Sequence, residues 1–181
     1  MKLERVIIEN FRSYKERVSV KIDDLTAFIG KNDIGKSTIL EALEIFFNNN
    51  IVKIEQDDLC VYSTTDKIRI GCVFSEVPTS IVIDSSSETT LKQEYLLNDQ
   101  NQLEIHKVYD CSKKTVPHEV LLIASYPTVK LASDLHELNQ SKLKKRISDL
   151  RIDETSVDLR SNVSMRQAIY NSFENLELSV C

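Results

Sequence analysis

Residues Phe28–Thr38 read FIGKNDIGKST, and they hold two of the chain's three glycines around a lysine and a hydroxyl residue. Gly30-x-x-x-x-Gly35-Lys36-Ser37 is a phosphate-cradling loop pattern. Gly30 and Gly35 allow the backbone to turn and approach a ligand where a side chain would collide. Consecutive N–H groups then point inward, and the positive end of a following helix adds to them, giving a concave site for phosphate oxygens. Lys36 supplies a full charge toward the β- and γ-phosphates, and Ser37 a hydroxyl for Mg²⁺. An ordinary glycine-containing turn next to a lysine is the competing reading. It is disfavoured because glycine is so scarce in this chain. A dinucleotide site would need Gly-x-Gly-x-x-Gly, which is absent.

The flanks supply the context that such a loop requires. LTAFIG, residues 25–30, is apolar without alternation and predicts a strand covered on both faces. After the loop, Ile39, Leu40, Leu43, Phe46 and Phe47 recur at helical spacing, with Glu41 and Glu44 between them and a run of asparagines closing the pattern. Upstream, VIIENF is a compact apolar run. RVSVKI alternates Val18, Val20 and Ile22 against Arg17, Ser19 and Lys21, as a strand with one wet face does.

Between residues 66 and 125 the signals are those of strands: KIRIGCVF, SIVIDS, EYLLN, QLEIHKVYD and EVLLIASY, separated by polar and proline-containing breaks. From Val129 the period turns helical, with Leu131, Leu135 and Leu138, then Leu143, Ile147 and Leu150. SMRQAIYNSFENLEL closes the chain with Met165, Ile169, Phe173 and Leu176 on one side. The predicted class is therefore α/β, a P-loop core at 1–50 followed by an antiparallel β-rich lobe at 51–128 and a helical segment at 129–181, all within one domain.

Composition narrows the classes further. The chain has 181 residues, 41% hydrophobic and 28% charged, with a formal charge of −5, so its whole surface is not a nucleic-acid footprint. The one dense basic cluster, Lys142, Lys144, Lys145 and Arg146, is a candidate DNA contact or else a solvated helix face. Cys60, Cys72, Cys111 and Cys181 contain no Cys-x-x-Cys pair, and His106, His118 and His136 are scattered, so no metal site is readable. The cysteines read as reduced core residues, and no targeting or membrane-spanning stretch is visible, which gives a cytoplasmic protein as the expectation.

IIENFRSY, the alternating strand RVSVKI and LTAFIGKNDIGKSTILEALEIFF together resemble the N-terminus of the SMC/RecF-like branch of ABC ATPases. KNDIGKST is most similar to the OLD family of ATP-dependent endonucleases and their anti-phage relatives, such as the large subunit of Gabija. The strong match runs over residues 3–47. The resemblance implies the N-terminal lobe of an ABC ATPase head, an ATP-operated clamp on DNA in which two heads, from a homodimer or a partner subunit, close over two nucleotides. It places Arg12 near the nucleotide and Asn32 near the γ-phosphate, beside Asp33. The expected ATP-binding set is Arg12, Gly30, Asn32, Asp33, Ile34, Gly35, Lys36, Ser37 and Thr38, with Ser37 on Mg²⁺. Gln56 in KIEQDD is a candidate for the family's metal-contacting glutamine, although it precedes the β-rich region.

Hydrolysis in that family further requires an apolar strand ending Asp-Glu, a glycine-bearing signature loop and a switch histidine. SIVIDSS offers Asp84, but Ser85 stands where the catalytic acid belongs, and only Gly71 remains outside the loop. The carboxylates of an OLD-type nuclease are not visible either, and Asp23-Asp24 and Asp57-Asp58 read as turn residues. The expectation is half of an ATPase head, either a fragment or a short product that works with a partner. A non-hydrolysing ATP-sensing module and a small P-loop kinase are the alternative readings.

Overall fold

The computed structural model describes residues 1–31, 35–48, 51–84 and 87–180. In chain order the strands and helices are β1 (Lys2–Glu9), β2 (Val18–Lys21), α1 (Lys36–Phe46), β3 (Lys67–Ser75), β4 (Ile81–Asp84), β5 (Ser87–Thr89), β6 (Leu103–Asp110), β7 (His118–Ile123), β8 (Ser125–Pro127), α2 (Gln140–Asp149), α3 (Asn162–Asn171) and β9 (Leu178–Val180). They divide into two compact units. The first comprises Met1–Glu76 and Gln102–Leu122, the second Val77–Asn101 and Ile123–Cys181. The strand-rich stretch after the loop is thus shared between the two units.

In the first unit, five strands form a sheet in the order β2-β1-β3-β6-β7. The pairings of β1 with β2 and β3, and of β3 with β6, are antiparallel. Register follows the apolar alternation: Val6 faces Val20 and Cys72, and Ile8 faces Val18 and Ile70. Val6, Ile8, Ile70 and Cys72, with Ile68 and Phe74, form a core with Ile39, Ala42, Ile45 and Phe46 of α1, and Val20 packs against it. Gly71 lies opposite His106, whose ring is so close that a Cβ on Gly71 would come within 2.4 Å of it. Cys60, Cys72 and Cys111 are free thiols within this unit's interior, and burial pushes the Cys72 thiol up to about 12, so it packs as an inert apolar group. Cys181 lies outside the described residues.

In the second unit, α2 and α3 pack Leu143, Ile147, Met165, Ile169 and Tyr170 around Ala132 and Leu135. Two small antiparallel ribbons, β4-β5 and β8-β9, complete it. Asn139 and Ser161 cap the two helices by accepting hydrogen bonds from the backbone N–H groups of Lys142 and Ser164.

Four expectations are corrected. LTAFIG is not a strand: the run is unpaired, Phe28 packs on the core, and Leu25 and Ile29 are 90% and 92% exposed. A central strand needs a partner on each edge, and no described strand lies beside this one. EYLLN is not a strand: Glu94 and Tyr95 end a run of turns and irregular chain follows, because Glu94 is drawn inside to an ion pair with Arg166, 72 residues away. The helical pattern starting at Val129 becomes turns and a 3₁₀ turn at Leu135–Glu137, with Asp134 committed to Arg146, and regular helix begins only at Gln140. The last helix stops at Asn171, short of Phe173 and Leu176, where the Ser172 hydroxyl donates back to the Ile169 carbonyl.

Candidate nucleotide-binding site

The loop's described residues, Gly30, Lys31 and Gly35 onward, lead into α1 at Lys36. Asn32, Asp33 and Ile34 lie outside the described residues. Gly35 has φ +87° and ψ 11°, a left-handed conformation that favours glycine. It precedes the helix with no side-chain cap, and the first turn carries no acidic residue. Among the described residues no side chain takes up the N–H groups of that turn, which leaves their positive field to an anion. Lys36 Nζ lies at the loop, donating to the carbonyl of Gly30 at 2.8 Å and to that of Lys31. It makes no ion pair among the described residues. Ser37 is exposed in the first turn, whereas Thr38 is turned into the interior at 6% exposure.

The NFRSY element is folded against the back of this loop. Asn10 and Arg12 both take positive φ, which curls the chain after β1 so that Phe11 is fully buried and pairs with Tyr14. The Tyr14 hydroxyl donates to the Gly35 carbonyl at 3.1 Å. A Cβ on Gly35 would lie 2.9 Å from the Tyr14 hydroxyl and 3.0 Å from Ser13 Oγ. So the second glycine is demanded twice, by its backbone conformation and by the wall behind it.

Arg12 donates through Nε to Asp58 at 2.7 Å and through Nη1 to Glu41, one helical turn beyond Ser37. Burial works against its charge, but the hydrogen bonds to Asp58 and Glu41 outweigh burial and hold the guanidinium above its ordinary value. Arg12 thereby ties α1 to the turn at Gln56–Asp58. At the other end of α1, Lys107 of β6 donates to the Phe46 carbonyl at 2.6 Å and to Asn48 Oδ1 at 2.7 Å, a cation at the helix's negative end. Burial pulls the Lys107 ammonium below its usual value. The helix that presents the loop is therefore anchored at both ends.

Several roles were not legible in advance. Tyr14, Glu41, Asp58 and Lys107 position the loop, and the sequence signals the elements that contain them but not these pairings. Gln56 donates to the Cys111 carbonyl at 2.9 Å, a bond that fixes its turn to the segment after β6. Asp84 ends β4 within the two-stranded ribbon it forms with β5, in the second unit, so SIVIDSS is not a strand of the sheet that supports α1. Of the basic cluster, Lys142, Lys144 and Lys145 are exposed on α2. Arg146 makes a bidentate pair with Asp134 at 2.9 and 3.0 Å and donates to the Leu131 carbonyl. Hydrogen bonds from Arg146 hold the Asp134 carboxyl below the usual carboxylate range. At the N-terminal edge Arg17 lies 3.5 Å from Glu104. No group of three or more His, Cys, Asp or Glu among the described residues could hold a metal ion, and no described helix is long and apolar enough to cross a membrane.

Comparisons with known proteins agree with the resemblance carried by the N-terminal residues. The chain is 46% identical over 44 residues to the chromosome partition protein Smc of Halobacteriovorax marinus, covering 24% of this chain and 4% of that protein. It is 35% identical over 72 residues to endonuclease GajA of Bacillus cereus, covering 39% of this chain and 12% of that protein. The chain thus matches a small part of the length of either relative. Among solved structures, one from work on ATP-driven dimerization and DNA-stimulated activation of SMC ATPases aligns with TM-score 0.45 and 13% identity over 67% of this chain and 69% of that one. The SMC head domain from Thermotoga maritima aligns with TM-score 0.40 and 15% identity over 86% and 54%. Residues 1–180 match the AAA ATPase domain model, and the chain belongs to that family.

Proposed function

We propose that this chain grips Mg-ATP through the loop at Gly30–Thr38 and is the N-terminal part of an SMC/OLD-like ATPase that acts on DNA. The observation that carries the reading is the uncapped start of α1, with left-handed Gly35 before it and Lys36 at the loop. An anion at that place gains the field of the free N–H groups and the lysine charge together. When a triphosphate binds, Lys36 exchanges two backbone carbonyls for phosphate oxygens. Ser37, exposed on the same turn, is the residue that would hold Mg²⁺, an ion that neutralises phosphate charge. Arg12, tied to Glu41 and Asp58, sets the pitch of α1 behind the loop.

Hydrolysis, in this reading, uses residues supplied from outside this chain, by a longer polypeptide, a second copy or a partner subunit. Leu25 and Ile29, apolar and almost fully exposed in a run with the composition of a buried strand, support that view. The antiparallel pairings of β1, β2, β3 and β6 weigh against a small-molecule kinase, which would alternate helices with parallel strands. The names of the relatives, a chromosome partition protein and an endonuclease, support action on DNA.

Calorimetry of ATP with Mg²⁺ tests the site. Lys36→Ala removes a charge-assisted hydrogen bond of about 1.5–3 kcal/mol, so affinity should fall roughly ten- to hundred-fold. Folded wild-type protein that shows no binding at millimolar ATP would overturn the reading, and undiminished binding by the variant would move the site elsewhere.

A further inference from the structure

The second unit contains a cleft of about 550 Å³, within the range of small-molecule sites and built without any residue of the loop. One wall is the face of α3 that carries Gln167 and Asn171, one turn apart, and the other is the turn segment that carries Gln93 and Asn101. All four carboxamides are without a hydrogen-bond partner among the described residues. Tyr95 and Tyr170 also line the cleft and pack edge to face at 4.8 Å. The Tyr170 hydroxyl is engaged with that of Tyr126 at 3.2 Å, so Tyr170 adds ring surface to the cleft.

The two walls are clamped to each other. Glu94, between Gln93 and Tyr95, accepts from Arg166, next to Gln167, at 2.8 and 3.2 Å, and both side chains are buried. His136 Nε2 meets the Glu94 carbonyl at 3.1 Å, which adds a third support. The carboxamides therefore stand on a preorganised frame.

The chemistry of the lining selects the ligand class. Among the described residues that line it, the only formal charges are Lys92 and Asp99, which are opposite, so no net charge recruits a phosphate. A purely apolar ligand would leave the four carboxamides unpaired on losing water. A carboxamide presents a donor and an acceptor side by side, which is the pattern of a base edge, and tyrosine rings offer the flat apolar surface on which a base rests.

We propose that this cleft binds a nucleobase, adenine best, from either a free nucleoside or an unstacked base of a single strand. The base edge exchanges hydrogen bonds with both Gln167 and Asn171, and its ring face covers Tyr95. This site is separate from the ATP site and does not depend on it.

The test uses the full chain labelled with ¹⁵N and follows the side-chain NH₂ resonances of Gln93, Asn101, Gln167 and Asn171, the first two of which remain in every variant. The probes are adenosine, a short oligodeoxyadenylate and its abasic counterpart. Adenosine or the oligodeoxyadenylate should shift these resonances saturably. Asn171→Ala, at an exposed position, and the double variant Gln167→Leu/Asn171→Leu should each weaken the binding at least fivefold, whereas Lys36→Ala should leave it unchanged. A shift with adenosine assigns the site to free nucleosides. A shift with the oligonucleotide alone, lost when the strand is abasic, assigns it to a displayed base. No shift with either probe at millimolar concentration, an equal shift with the abasic strand, or binding that survives Asn171→Ala would overturn the proposal.

Discussion

Replacing Gly35 by alanine should damage the loop through two separable effects. The first is conformational, since φ +87° imposes a left-handed backbone on a residue with a Cβ, at about 1–3 kcal/mol. The second is steric: the new Cβ would lie 2.9 Å from the Tyr14 hydroxyl and 3.0 Å from both Ser13 Oγ and Tyr14 Cε2. Tyr14 must then withdraw and lose its bond to the Gly35 carbonyl, worth about 1 kcal/mol. Together the effects come to about 2–4 kcal/mol, which would lower the melting midpoint of a chain of this length by roughly 4–16 °C if stability absorbed all of it. Any part relieved by distorting the loop appears instead as weaker ATP binding, because the N–H groups no longer converge. Scanning calorimetry and ATP titration of Gly35→Ala, Tyr14→Ala and the double variant separate the two. Tyr14→Ala removes two of the three close contacts and leaves Ser13 Oγ, so the double variant should be less damaged than the sum of the singles. An unchanged midpoint together with unchanged ATP affinity in Gly35→Ala would refute the reasoning.

ATP turnover by this chain alone should fall far below the roughly 1 s⁻¹ of slow ordinary enzymes, and steady turnover at that level, abolished by Lys36→Ala, would show that the catalytic residues lie within it. Changing Lys142, Lys144 and Lys145 to Glu while keeping Arg146, whose pairing with Asp134 is structural, should abolish any low-salt shift of duplex DNA in a gel. With fewer of the three lysines changed, the slope of log affinity against log salt should become shallower by about 0.9 for each lysine–phosphate pairing removed, and a shift that survives the triple change would move the footprint to Arg5, Lys15 and Arg17. Burial holds His106 below the ordinary histidine value; Glu104 pulls the other way without reversing it, and Arg69 and Arg17 add to the depression. The unfolded chain therefore takes up the proton first, so the first unit should lose stability as pH falls below about 6.5 and until the folded value is passed. His106→Gln should flatten that acid-side slope in denaturant titrations, and an unchanged slope would show that the ring does not contribute.

Sequence alone determined the phosphate-loop pattern, the strand at Val18–Lys21 and the helix that follows the loop. The glycines, lysine and serine at fixed spacing, the period-two strand at Val18–Lys21 and the helical spacing from Ile39 all depend on near neighbours, and those elements stand where their patterns put them. The family was legible for the same reason, since its signature lies within one contiguous stretch. What the tertiary structure decided depends on partners distant in the chain. Glu94 reads as part of a strand until Arg166, 72 residues on, draws it inside. Arg12 becomes a strut because Glu41 and Asp58 meet it, and Arg146 is withdrawn from its basic cluster by Asp134. The run Leu25–Gly30 shows the limit from the other side: its composition specifies a covered strand, but a strand exists only where another edge supplies its hydrogen bonds, and composition cannot supply that edge.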